Sequence, residues 1–250
     1  MDAWPYPFWI AHRGAGRLAP ENTLAALRLG AQHGYRAFEC DVKLSADGVP
    51  FLLHDATLQR TTPGHGVAGD RPWSELSRLD AGGWHSRAYA GEPIPSLDAI
   101  AAFVLRNGYA LNIEVKPTPG AERRTGEAVA AYVAQRWPGD AVPPLLSSFQ
   151  PDALEAAQAT APAVPRALLL DQLREGWFER AQALQCLAVV FAYALLDAAL
   201  IQRLHGAGLR ALAYTVNDPA EAWRLRRAGI DGLITDEVAR FSPDDAAVRD

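Results

Sequence analysis

Short runs of aliphatic and aromatic residues alternate along the chain with Ala- and Leu-rich segments that carry Arg and Glu at helical spacing. The strand-like runs are Phe8–His12, Ala37–Leu44, Ala110–Val115, Leu145–Phe149, Arg166–Leu170, Leu187–Phe191, Arg210–Thr215 and Gly232–Thr235. Between them the spacing predicts helices over Thr23–His33, Leu97–Arg106, Arg124–Trp137, Asp152–Thr160, Gly176–Leu184, Asp197–Gly206 and Pro219–Ala228. Pro20-Glu21-Asn22-Thr23 supplies capping groups ahead of the first helix, and Asp218-Pro219-Ala220-Glu221 is a strong start for the last. Strands alternating with helices argue for a parallel α/β sheet, and eight such units close a (β/α)8 TIM barrel. An open doubly wound sheet is the competing arrangement. Residues 55–95 break the rhythm: the stretch is rich in Gly, Pro, Thr and Trp, with one helix-like piece near Trp73–Leu79. It reads as a small insertion after the second strand, too short for a core of its own, so residues 1–250 form a single barrel domain that carries it.

Composition narrows this picture mainly by exclusion. The 250 residues suit one such barrel, 49% of them are hydrophobic, and the net charge is −5. That balance excludes a disordered chain and offers no basic stripe for nucleic acid. Cys40 and Cys186 are too few for a disulfide scaffold and form no C-x-x-C pair. No run of 18 apolar residues predicts a membrane span, and Met1-Asp2-Ala3-Trp4-Pro5 lacks the basic start of an export signal. The expectation is a soluble, cytoplasmic protein.

Barrel chemistry collects at the C-terminal ends of the strands. His12 and Arg13 end the first strand, Glu39 and Asp41 the second, Glu114 and Lys116 the third. Residues two apart share a strand face, so Glu39 faces with Asp41 and Glu114 with Lys116. Asp47-Gly48 predicts a hairpin; a two-residue loop pairs Ala46 with Val49 and sets His54 directly opposite Asp41. Val49–His54 is then a return arm and not a barrel strand. Three convergent carboxylates repel one another unless a cation sits among them, and a hard divalent ion is the economical choice. His12 and His54 have the chemistry to move protons near neutrality, while Arg13 and Lys116 suit an anionic phosphate group. Each piece has an ordinary explanation by itself: a solvated strand face for Glu-x-Asp, a rim salt bridge for Glu-x-Lys, core packing for Cys40. Convergence at three successive strand ends points instead to phosphoryl transfer to water or a hydroxyl.

The sequence also resembles a known family. His12-Arg13-Gly14, Pro20-Glu21-Asn22-Thr23, Glu39-Cys40-Asp41-Val42, Asp47-Gly48, His54-Asp55, Arg60-Thr61-Thr62 and Glu114-Val115-Lys116 follow the order and spacing of the glycerophosphodiester phosphodiesterases. Ile94-Pro95-Ser96-Leu97, Ser148-Phe149 and Gly232-Leu233-Ile234-Thr235-Asp236 extend the similarity over nearly the whole chain. The resemblance implies a TIM barrel with a small insertion after the second strand. It implies hydrolysis of small-molecule glycerophosphodiesters to sn-glycerol 3-phosphate and an alcohol with one divalent cation, Mg²⁺ or Ca²⁺, with Mn²⁺ as an alternative. By the same resemblance Glu39, Asp41 and Glu114 are metal ligands, His12 and His54 the acid/base pair, and Arg13 and Lys116 the phosphate clamp. Tyr214 stands where many relatives have Trp, on the glycerol side of the site. The compact insertion looks more like the cytoplasmic members than the periplasmic ones. Two rivals remain: a barrel phosphodiesterase acting on inositol phospholipids or lysophospholipids, and a catalytically silent barrel that binds a phosphodiester.

Overall fold

The structure, a computed structural model, describes residues 4–243. Met1–Ala3, part of the stretch inspected for an export signal, and the last seven residues of the 1–250 span lie outside the described residues. Strand β1 (Trp9–Ala11) pairs in parallel with β2 (Ala37–Leu44) on one side and with β9 (Gly232–Thr235) on the other. The sheet runs between them through β4 (Ala110–Val115), β5 (Leu145–Ser148), β6 (Arg166–Leu170), β7 (Ala188–Ala192) and β8 (Arg210–Tyr214). The β1–β2 pairing closes the circle, giving the eight-stranded parallel barrel that the alternation predicts. Helices α1 (Leu24–Gln32), α3 (Leu97–Asn107), α4 (Glu122–Arg136), α5 (Pro151–Thr160), α6 (Trp177–Ala183), α7 (Ala198–Gly206) and α8 (Pro219–Arg227) fall between the strands. The caps read from sequence are made: Thr23 Oγ1 accepts from Ala26 N–H at the start of α1, and Asp218 from Ala220 N–H at the start of α8. Among the described residues no helix is long and apolar enough to cross a membrane.

Strand β2 shows why this sequence makes a site. All eight of its residues are buried, as expected of a parallel strand covered on both faces. Phe38, Cys40 and Val42 point outward into the apolar layer beneath the helices. Each fully buried large side chain there is worth about 1.5–3 kcal/mol relative to exposure. The alternate residues face the barrel axis and change character with height. Ala37 belongs to a lower apolar layer with Ala110, Leu145 and Ala167, whereas Glu39 pairs with Asn112 and Asp41 with Glu114 above it. The apolar lower layers anchor the barrel and leave the polar upper layers at its mouth.

Two expectations are corrected here. The hairpin loop after β2 has three residues, not two: Ser45 N–H donates to Val49 O, Gly48 N–H donates to Ser45 O, and Gly48 takes φ +84°. A type I turn closed by a left-handed glycine accounts for the extra residue. Leu44 therefore pairs with Pro50 at the start of the antiparallel return strand β3 (Pro50–Leu52), and Leu53, not His54, donates its N–H to Asp41 O. β3 lies outside the barrel, as expected of a return arm. The second correction concerns the insertion, which contains α2 (Trp73–Leu76) and does bury an apolar cluster. Phe51 and Leu53 from the return arm pack with Leu58, Ala68, Leu76, Ala81 and Ile94. The arm supplies the apolar side chains that the short segment lacks by itself.

The segment rests on loops at the C-terminal end of the barrel. Arg60 pairs with Glu21, Glu92 accepts from Ala25 N–H, and His85 lies 3.0 Å from Arg17 O, all in the β1–α1 region. Gly69 packs against Thr118 in the loop after β4.

Candidate active site

Glu39, Asp41 and Glu114 converge from two neighbouring parallel strands, with one oxygen from each lying within 4.8 Å of the others. All three are buried. Burial and the neighbouring charges of Asp41 and Glu114 push the Glu39 carboxyl well above its ordinary range. Burial and Asp41 raise Glu114 to about 7. Asp41 moves the other way: burial opposes its charge, but Arg13, Lys116, His54 and a hydrogen bond from Asn22 hold it ionised far below its usual value. Glu39 Oε1 is buried without a hydrogen-bond partner. An all-oxygen set of three carboxylates, one with an unpartnered oxygen, fits a hard divalent cation.

Cations surround this cluster. Arg13 Nη1 donates to Glu21 Oε1 at 2.9 Å and its Nε lies 3.3 Å from Asp41. Its backbone N–H donates to Glu39 Oε2, which the left-handed turn at Arg13 (φ +51°) makes reachable. Lys116 Nζ sits 2.8 Å from Glu114 and 3.4 Å from Asp41. Lys43, on the same face of β2 as Glu39 and Asp41, donates to Lys116 O at 2.8 Å. Burial pulls its pKa down to about 8.

Both histidines enter the site with Nδ1 on a carboxylate. His12 Nδ1 is 2.6 Å from Asp236 Oδ1, and its Nε2 is 3.8 Å from Glu39 Oε2. Asp236 is itself fixed by Asn217, whose Nδ2 donates to Oδ2 and whose Oδ1 accepts the Asp236 N–H. Gly16 passes so close that a Cβ there would lie 2.0 Å from Asp236 O, so no larger residue fits. His54 Nδ1 is 2.6 Å from Asp55 Oδ1. Arg60 binds Asp55 and Glu21 together, joining the His54 support to the Arg13 support. Burial, Arg13 and Lys116 leave His54 below the usual imidazole value despite the carboxylates near it. His54 thus reaches the cluster although it is not paired across from Asp41, because the chain leaves the ladder after Leu53.

Tyr214 closes the other side. Its ring meets Phe149 edge-on at 5.8 Å and its hydroxyl donates to Leu170 O. It caps a narrow cleft of about 20 Å³ shared with His12, Glu39 and Ser147, whereas a cavity of about 470 Å³ opens on the His54 side. Every site residue singled out in the sequence therefore lies at this mouth. Sequence reasoning gave the supports Asp55, Arg60, Asn217 and Asp236 no role and read Glu21 and Asn22 only as helix-capping groups, although most of the six fall within the motifs that carried the resemblance.

Residues 12–240 match the glycerophosphoryl diester phosphodiesterase family. A phosphodiesterase from Oleispira antarctica, solved in complex with the product sn-glycerol-3-phosphate, superposes with a TM-score of 0.89 at 36% identity over 98% of this chain and 97% of that one. A glycerophosphodiester phosphodiesterase from Caldanaerobacter subterraneus subsp. tengcongensis is 31% identical, covering 91% of this chain and 93% of its own. The corresponding enzyme of Agrobacterium tumefaciens strain C58 has a TM-score of 0.79 at 30% identity, covering 94% and 99%.

Proposed function

The chain belongs to the glycerophosphoryl diester phosphodiesterase family and is a phosphoric diester hydrolase, and from that premise we propose a metal-dependent hydrolysis of glycerophosphodiesters to sn-glycerol 3-phosphate and an alcohol, with His12 and His54 moving the protons. The observation that carries this reading is the buried triad of Glu39, Asp41 and Glu114, flanked by two histidines that each rest on a carboxylate. The product named for the Oleispira complex supports the glycerol phosphate half of the substrate.

Glu39, Asp41 and Glu114 would hold one divalent cation, Mg²⁺ or Ca²⁺ with Mn²⁺ as an alternative. Such an ion, when bound, stabilises negative charge on phosphoryl oxygens. Arg13 and Lys116 orient the phosphate from either side of Asp41. An ionised Asp236 only accepts, so His12 keeps its proton on Nδ1 and offers a bare Nε2 as the base for the attacking hydroxyl. His54, protonated on both nitrogens beside the anionic substrate, gives the Nε2 proton to the departing alkoxide. The oxygen–phosphorus bond forms as the phosphorus–alkoxide bond breaks, and one proton passes through each histidine. Tyr214 shapes the wall of the glycerol side, with Phe149 edge-on behind its ring.

We read residues 55–95 as part of the same domain, since they supply Asp55 and Arg60 to the site. The free thiols of Cys40 and Cys186 suit a cytoplasmic setting. The test is a panel of soluble glycerophosphodiesters assayed with EDTA and then with Mg²⁺, Ca²⁺ or Mn²⁺ restored. Turnover that returns with metal is expected; unchanged turnover after exhaustive chelation overturns the metal requirement, and metal binding without turnover of any diester overturns the activity.

A further inference from the structure

The sequence holds two lysines among 24 cationic residues, Lys43 and Lys116, and both stand at the active site. Lys116 is engaged by Glu114 and Asp41. Lys43 is different. Its residue is 1% exposed, and among the described residues no carboxylate lies within 4 Å of its ammonium. One of its three N–H groups is used, by Lys116 O. A buried cation with donors to spare needs acceptors from elsewhere.

Lys43 lines the cavity of about 470 Å³ that His54, Ala56, Pro117 and Phe149 also line. His12 does not border that cavity; it borders the cleft of about 20 Å³ beneath Tyr214. Of these two spaces only the larger can accommodate alcohols of different size; a further cavity of about 490 Å³, lined by Phe149 and Arg180, touches neither histidine. The groups facing it are unwelcoming to a cationic alcohol. The Phe149 ring already has Lys116 Nζ at 5.7 Å, Glu114 is bound by Lys116, and Asp55 is bound by His54 and Arg60.

We propose that Lys43 and His54 form the subsite for the leaving alcohol, and that Lys43 selects acceptor-rich alcohols, neutral polyols or anionic groups, over those that carry a positive charge. The proposal rests on the diesterase reading above and assigns the half of the substrate that reading leaves open. A like-charge encounter in a partly desolvated pocket is costly, while the free ammonium donors meet hydroxyl oxygens directly.

The experiment compares kcat/KM for glycerophosphoglycerol and glycerophosphoinositol with that for glycerophosphocholine and glycerophosphoethanolamine, in the metal-loaded wild-type protein, Lys43→Met and Lys43→Gln. The polyol diesters should be favoured in the wild type by about tenfold or more, and both variants should move the ratio toward the cationic diesters by a similar factor. The ratio is insensitive to loss of fold or metal, which lowers both rates together. A wild-type preference for choline or ethanolamine overturns the proposal whether or not the variants fold, as does an unchanged ratio in folded variants. Absence of turnover with every diester would instead remove the diesterase reading itself.

Discussion

His12 Nδ1 and Asp236 Oδ1 lie 2.6 Å apart although 224 positions separate them in the chain. The barrel brings them together because β1 and β9 are neighbours, with Ala11 aligned on Thr235. His54 meets Asp55 at the same distance, through adjacent residues. The two imidazoles thus receive equivalent support by opposite routes, one across the closure of the barrel and one local, and each keeps Nε2 available for the substrate.

Asp236→Asn tests the long-range support. Asn217 Nδ2 donates to one Asp236 oxygen while His12 uses the other, so both positions must accept. An amide has a single oxygen and cannot satisfy both. The variant should lose on the order of 10² or more in kcat with little change in KM, because the lost function is proton transfer and not phosphate binding. A comparable rise in KM with kcat preserved would remove Asp236 from this role.

Asp41→Asn and Glu114→Gln should each weaken metal binding and lower activity while the barrel stays folded. The two residues face each other across the β2–β4 ladder, so either change takes one oxygen donor from the same cluster. Titration calorimetry with Mn²⁺ or Ca²⁺, beside circular dichroism, separates loss of metal from loss of fold. Wild-type affinity in both variants would exclude the triad as the metal site.

The raised carboxyls make a pH prediction with a definite sign. Burial and Asp41 hold Glu114 at about 7 in the folded chain against 4.5 for the free side chain. Below 4.5 both states carry the proton and the group is neutral to stability. Between 4.5 and 7 the unfolded state gives up its proton while the folded state keeps it, so stability falls across that interval and levels off above 7. Glu39 acts in the same direction, raised by burial and by its two carboxylate neighbours. A bound cation favours the ionised forms, so its stabilisation should grow across the same interval. Melting temperatures with and without metal at pH 5, 6, 7 and 8 should diverge steadily; a constant difference would show that these groups do not titrate with metal binding.

What the chain reveals by reading follows the physics of each feature. Barrel strands were legible because parallel strands buried on both faces are near-continuous apolar runs, and Glu39, Asp41 and Glu114 stood out as charges within them. The hairpin was legible as a turn but not in register. Asp47-Gly48 suits both a two-residue loop and the last two residues of a three-residue one, and only Gly48 at φ +84° together with the Ser45–Val49 bond distinguishes them. The apolar core of the insertion was hidden because two of its seven buried members, Phe51 and Leu53, lie outside the segment. Arg60 was hidden for a related reason. Its partners Glu21 and Asp55 belong to different loops, and no local pattern announces that a single guanidinium spans them.

The final prediction separates the two histidines by the side of the phosphate each serves. His54 borders the wide cavity where alcohols of varied size fit, and His12 borders the narrow cleft under Tyr214. A proton donor matters only as far as the leaving group needs one, while the nucleophile needs its base whatever leaves. His12→Ala and His54→Ala should therefore both be slow on a natural diester, each by about 10²–10⁴. On a diester with a p-nitrophenyl leaving group, already stable as an anion, His54→Ala should recover most of its rate and His12→Ala should not. Assays of both variants on both substrates, at saturating metal, decide the matter. Selective recovery of His12→Ala would exchange the two roles, and full activity of both variants on the natural diester would take the histidines out of the reaction.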